Sequence, residues 1–229
     1  MAILVSLVAS VFTLAGGLFA LRLTRRLALV LGFSAGAVLG VAFFDLLPES
    51  VELAGPTWGA PRLLMMTAVG YTAYLLLHRA AARFAKAGAL GALTLSIHSF
   101  LDGLSIGLSF QVSLPVGAVV AAGVVVHDLC DGINTVTVVR RNGGDARTAG
   151  TWLAVDALTP VLGAVVGSSI RLGEAALGVA LALFGGFFLH IGASDLMPAS
   201  APPGAGLAPA LMTVLGLAII YAAVRFASL

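Results

Sequence analysis

Apolar residues occupy the chain in eight long runs separated by short polar breaks, covering 2–21, 28–48, 62–79, 89–110, 114–139, 148–170, 174–195 and 206–227. A helix needs about 20 mostly apolar residues to cross the hydrocarbon core of a bilayer, and each run is long enough. Gly55-Pro56, Gly59-Ala60-Pro61, Asn142-Gly143-Gly144 and Pro202-Pro203-Gly204 mark several of the breaks. No stretch is left for a soluble domain. The pattern predicts an all-α polytopic membrane protein, a single transmembrane domain over 1–229 with eight transmembrane helices.

Composition agrees. Of 229 residues, 60% are hydrophobic and only 10% charged, against about 25% charged in soluble domains. Mean hydropathy is +1.09. The 28 glycines follow no three-residue period, which excludes collagen, and the lone Cys130 forms no internal disulfide. Net charge is +2, with the basic residues in short clusters between apolar runs. That distribution argues against a nucleic-acid partner and for the lipid bilayer.

The clusters also orient the chain. Loops after odd-numbered spans carry Arg22, Arg25, Arg26, Arg79, Arg83, Lys86, Arg140, Arg141 and Arg147, nine of the 12 basic residues. By the positive-inside rule both termini lie outside the cytoplasm. The loop after the seventh span has no basic residue, so alternation alone orients the last two helices.

Two internal similarities emerge. The fourth span contains His98-Ser99-Phe100-Leu101-Asp102-Gly103 and the fifth His127-Asp128-Leu129-Cys130-Asp131-Gly132. The second span ends Asp45-Leu46-Leu47-Pro48-Glu49-Ser50 and the seventh Asp195-Leu196-Met197-Pro198-Ala199-Ser200. Members of each pair run in opposite directions through the membrane, as an inverted-topology repeat requires. Pro48 and Pro198 have two readings, as simple helix terminators with Asp45 and Asp195 as interfacial residues without a function, or as matched features of the repeat.

The intramembrane acids carry the chemistry. Asp102, Asp128, Asp131 and Asp156 would together cost about 10–14 kcal/mol if ionised and lipid-facing. No Lys or Arg lies at their depth in spans four to six, so the neutralising charge is an ion that comes and goes, or protons. His98 with Asp102, and His127 with Asp131, are four apart and share a helix face. Asp128 and Ser99 flank these faces, and Ser105 and Asn134 extend them. If the two helices face each other, the set suits one or two divalent transition-metal ions. Cys130 reads as a packed thiol, His78 as a solvated interfacial residue, and His190, five residues before Asp195, as a weaker candidate for an ion path.

These residues resemble the signature of the ZIP (Zrt/Irt-like protein) family of divalent metal transporters, which has eight spans, both termini outside, and paired motifs His-Asn-x-Pro-Glu-Gly and His/Gln-Glu/Asp-x-Pro-Glu-Gly. The resemblance covers the whole chain, including Asp45 to Glu49, Pro160 to Gly163 and Gly186 to Pro198. It implies that the metal is held by His98, Asp102, His127, Asp128 and Asp131, with Ser99 in place of the family's Asn and Asp156 substituting for a sixth-span Glu that is Thr159 here. A second-span Met ligand of some members is Val38. Both motif glutamates are aspartates, and both motif prolines are replaced, by Leu101 and Cys130.

The resemblance further implies inward transport of a divalent transition metal, Zn²⁺ first and Fe²⁺, Mn²⁺, Co²⁺ or Cd²⁺ as related cargo, with no resident cofactor. Spans one, four, five and six would move against a scaffold of two, three, seven and eight, in a homodimer at the cell membrane. The Gly32-x-x-x-Gly36-x-x-x-Gly40 run permits close helix contact. Two other readings are an intramembrane metallohydrolase and a metal-binding sensor that does not transport. The first has Leu101-Asp102-Gly103 in its favour and the absence of His-Glu-x-x-His against it, so the expected protein is not an enzyme.

Overall fold

The computed structural model describes residues 1–20, 27–84, 90–141, 143–204 and 206–227. Arg22, Arg25, Arg26 and Lys86, which help to orient the chain, lie outside the described residues, as does the side chain of Cys130.

The described residues are helical almost throughout. In chain order they form α1 (Ala2–Ala20), α2 (Leu27–Val41), a π-helical turn (Ala42–Leu46), α3 (Leu47–Trp58), α4 (Ala60–Phe84), α5 (Leu90–Val112), α6 (Leu114–Arg141), α7 (Ala146–Ser169) and α8 (Glu174–His190). A second π-helical turn (Ile191–Leu196), α9 (Met197–Ser200) and α10 (Ala208–Ala227) complete the order. α2 with α3, and α8 with α9, are continuous rods through their π turns, so the rods number eight. Seven are long and apolar enough to cross a membrane. The eighth, α5, has 23 residues and carries His98, Asp102 and four serines, polar groups an interior helix can hold because protein surrounds them.

Burial is inverted relative to a soluble protein. α1 buries Ser6, Ala9, Ser10, Thr13, Gly16 and Gly17 and turns Leu4, Leu7, Val11, Phe12, Leu18 and Phe19 outward. The hydroxyls cost little inside, because Ser10 and Thr13 donate to carbonyls one turn back in their own helix. Small residues inward and large apolar residues outward is the arrangement a lipid solvent favours.

Two proline expectations are corrected. Pro48 and Pro198 do not terminate their helices. A proline ring clashes with the carbonyl four residues back. The π turn ahead of each widens the helix there, with Leu47 N–H reaching Ala42 O and Met197 N–H reaching Gly192 O. Gly55-Pro56 is not a break either, since α3 runs through it to Trp58. Gly55 has no Cβ for the proline ring to strike, which eases the usual restriction on the residue before proline. The chain reverses instead at Gly59, whose φ of 75° is open to glycine and costly to most other residues.

The inverted repeat extends through the packing. α1 lies on α6 as α7 lies on α5, and α10 lies on α2 as α4 lies on α8. A Cβ on Gly16 would strike Leu129 O and one on Gly132 would strike Thr13 O, while Gly163 meets Phe100 O and Gly103 meets Pro160 O. Likewise Gly36 meets Thr213 O and Gly186 meets Thr67 O. These crossings pair residue by residue: 16 with 163, 13 with 160, 132 with 103, 36 with 186, and 213 with 67. Close glycine crossings thus knit two bundles, one of α1, α5, α6 and α7, the other of α2, α3, α4, α8, α9 and α10. The motif glycines Gly103 and Gly132 fix the depth of the aspartates beside them.

Local caps complete the first bundle. Asp145 caps α7 by accepting from Thr148 N at 2.8 Å, and hydrogen bonds from Thr148 hold its carboxyl below the usual carboxylate range. At the other end the Gln111 amide donates to Gly167 O and Ile170 O, carbonyls that the end of α7 would leave unpaired.

Candidate metal centre

The four-residue spacing on α5 and α6 brings both His-Asp pairs to the face where the two helices meet. His98 Nε2 lies 3.3 Å from Asp102 Oδ2 and 3.2 Å from Asp131 Oδ2. His127 Nε2 lies 3.2 Å from Asp102 Oδ2 and 3.8 Å from Asp131 Oδ2. All four side chains are buried, and one donor atom from each falls within 4.8 Å of the others. For comparison, four ligands at about 2.0 Å from a tetrahedral zinc would stand about 3.3 Å apart.

One imidazole has its chemistry set by a backbone contact. His127 Nδ1 is 2.9 Å from Gly123 O, an atom that can only accept, so Nδ1 carries a proton. In the neutral ring Nε2 then presents a lone pair to Asp102 Oδ2. Two lone pairs at that distance repel unless a cation lies between them, and a carbonyl behind the ring is the usual device that aims a histidine at a metal.

The remaining expected residues form an adjoining group. Ser99 donates to Asp156 Oδ1 at 2.9 Å and Thr135 to Asp156 Oδ2 at 2.7 Å, so Ser99 and Asp156 face each other rather than the four-residue cluster. Asp128 is fully buried, and neither of its carboxylate oxygens has a hydrogen-bond partner. The Thr159-Pro160 pair explains how α7 keeps Asp156 in a helix. Pro160 cannot donate to Asp156 O, and the Thr159 hydroxyl does so at 2.8 Å. Ser105 likewise donates to Asp102 O.

Thr135 escaped sequence reasoning, although it lies one turn after Asp131 on the motif helix. Replacing Thr135 with Val keeps its shape and removes a donor to a buried carboxylate. Thermal unfolding of the purified protein should show a loss of about 1–3 kcal/mol.

A cavity of about 330 Å³ reaches the cluster from one side, lined among others by Tyr74, His78, His98, Asp131, Asn134 and Asp195. Two of its lining residues, His78 and Asp195, belong to a second group. His78 Nδ1 and His190 Nδ1 each lie 3.7 Å from a carboxylate oxygen of Asp195. His78, expected as a solvated interfacial residue, therefore lines the same cavity as the cluster.

Across the molecule, a cavity of about 550 Å³ is lined by Asp45, Pro48, Glu49, Glu52 and Arg225, along with Pro115, Val116 and Val119 of α6. Its lining includes no member of the four-residue cluster. α6 itself measures the separation: from Val119 to His127 is about 12 Å at 1.5 Å per residue. Val120 and Val124 in that interval, with Val38 and Val41 of α2, are completely buried in one apolar cluster. Val120 and Val124, with Val41 packed at Gly123 of the same interval, form an apolar plug between the outer cavity and the ligands, and Val38 lies one turn before Val41 in the same buried cluster.

The sequence matches the family model described as ZIP Zinc transporter over residues 78–223, a stretch that includes α5, α6 and α7 and all seven candidate ligands. Zinc transporter ZupT of Corynebacterium aurimucosum is 24% identical over 206 residues, covering 79% of this chain and 78% of the relative. Zinc transporter ZupT of Corynebacterium efficiens is 25% identical over 209 residues, with the same coverage. Mouse zinc transporter ZIP4 is 28% identical over 104 residues, 45% of this chain and 16% of that much longer protein. Eight helical rods, the glycine-crossed inverted repeat and a family match over more than half the sequence lead to one conclusion: the chain belongs to the ZIP zinc transporter family.

Proposed function

We propose that this protein carries divalent transition-metal ions, zinc foremost, into the cytoplasm, binding them at His98, Asp102, His127 and Asp131. The observation that carries this reading is a fully buried cluster in which each of two imidazole nitrogens lies 3.2–3.8 Å from both of two carboxylate oxygens. Imidazole with carboxylate favours Zn²⁺, Fe²⁺, Mn²⁺ or Co²⁺ over Mg²⁺ or Ca²⁺. Asp128, Asp156 and Ser99 form the outer part of the same polar site and offer further oxygens to an entering or second ion.

The positive-inside orientation puts the C-terminal ends of α4 and α6 on the cytoplasmic side, and with them the cavity that reaches His98 and Asp131. The acidic cavity with Asp45, Glu49 and Glu52 then faces outside, separated from the ligands by the valine plug. This is an inward-open arrangement. Moving α1, α5, α6 and α7 as one body against the other bundle would carry the ligands past Val38 and Val41 and open the site to the other face. The glycine crossings of backbone on backbone lie within each bundle, so such a motion leaves them intact; between the bundles Gly123 of α6 meets only the side chain of Val41.

The test is uptake by proteoliposomes containing the purified protein and an internal zinc-sensitive dye. Zinc is expected to enter, with Co²⁺, Fe²⁺, Mn²⁺ and Cd²⁺ competing and Mg²⁺ and Ca²⁺ failing to compete at the same concentration. Saturable zinc binding without flux would favour a sensor, and cleavage of a membrane peptide would favour a hydrolase.

A further inference from the structure

We propose that His78, His190 and Asp195 form a second metal-binding station on the way out, holding a zinc-like ion after it leaves the principal cluster. The inference rests on the transport reading above. Three donor atoms, two imidazole nitrogens and a carboxylate oxygen, lie within 4.8 Å of one another, a set that suits a borderline-soft divalent ion with water completing the shell. His190 is 3% exposed, and its Nδ1, buried and aimed at Asp195, has no hydrogen-bond partner. At 3.7 Å from the Asp195 carboxylate this nitrogen is too far for a hydrogen bond, and a buried nitrogen left so is costly unless something visits it.

The backbone builds this group. In a regular α-helix, residues five apart point about 140° away from each other. The π turn Ile191–Leu196 follows His190 directly, and its i→i+5 pattern brings Asp195 about one turn beyond His190 on the same face. α4 supplies His78, with Tyr74 one turn earlier. Tyr71, a turn before that, is 2.8 Å from Ser194 through its hydroxyl and ties α4 to the π turn.

Tyr74 stands between the two groups. Its ring centroid is 6.4 Å from His98, 5.1 Å from His190 and 6.4 Å from His78. The ring is 3% exposed and lines the cavity that joins the groups. The principal ligands stand on α5 and α6 and the second set on α4, the end of α8 and the π turn after it, so the station stays with the scaffold when the ligand-bearing bundle moves. A released ion would pass from one bundle to the other at the Tyr74 ring.

The test uses the full-length protein in lipid nanodiscs with Zn²⁺ alone, counted by equilibrium dialysis, and with Co²⁺ alone, read by visible absorption. The parent should bind an ion at the station in addition to the principal site. His190→Gln and Asp195→Asn should each weaken that additional ion at least tenfold, while Asp102→Asn combined with Asp131→Asn should leave it bound. His78→Gln, at a position 41% exposed, repeats the measurement if His190→Gln fails to fold. Unchanged stoichiometry and affinity in both His78→Gln and His190→Gln would overturn the station, as would loss of all binding in the Asp102/Asp131 double variant. Failure of the transport reading shows elsewhere, as zinc uptake that the Asp102/Asp131 double variant leaves intact.

Discussion

Zinc uptake by vesicles carrying Asp131→Asn or Asp102→Asn is expected to fall at least about a hundredfold below the parent. Loss of an outer-shell partner already costs 10–100-fold at metal sites, and these carboxylates are assigned to the ion itself. Each Oδ2 stands close to both imidazoles, so either substitution removes an anionic oxygen from contact with His98 and His127 at once. Asn preserves side-chain volume in a fully buried site, and the variants should therefore elute as the parent does on size exclusion. Both substitutions are needed, because the carboxylates are related by the repeat and neither is dispensable to a four-ligand shell. Parent-like uptake in both variants would remove the site.

Gly132→Val should do its damage through packing. The new side chain would begin at the carbonyl of Thr13 and the amide of Gly17, where α1 crosses α6 with no intervening atoms. Neither neighbour is a flexible side-chain tip, so the two helices must separate. Overpacking a tight contact costs about 1–3 kcal/mol and more where backbone must shift, and this contact is backbone on both sides. The expected result is a folded yield several-fold below the parent and a marked fall in unfolding temperature, with zinc binding by the surviving fraction impaired because Asp131 is the adjacent residue. Gly150→Ala is the control. No atom outside its own helix lies near its Cβ position, and its behaviour should match the parent. Equal stability of Gly132→Val and Gly150→Ala would show that the crossing is looser than described.

Part of this site was open to reading from spacing alone. His98 with Asp102 and His127 with Asp131 are legible because four residues make about one helical turn, so two donors share a face whatever surrounds the helix. Pairing Asp45 with Asp195 also exposes the repeat, which the packing carries down to matched glycine crossings. His190 with Asp195 reads poorly by the same rule. Five residues imply opposite faces in an α-helix, and nothing short of the backbone reveals the π turn that cancels the offset. The same widening let Pro48 and Pro198 pass through their helices where termination was expected. Ser99 and Asp156 are 57 residues apart, and their contact depends on how α5 and α7 cross at Gly103 and Gly163.

The sequence by itself determined the solvent, the number of rods and the identity of the buried acids, because lipid imposes a length and an apolarity on each span and penalises every charge left within it. Tertiary structure alone decided which acids meet. It grouped Asp102 and Asp131 around two imidazoles, turned Asp156 toward Ser99 and Thr135, and left a cavity on one side with a valine plug on the other. Those outcomes turn on how closely two backbones approach and on the angular offset a single π turn adds. Both are relations between helices or distortions within one, which residue order constrains only through packing.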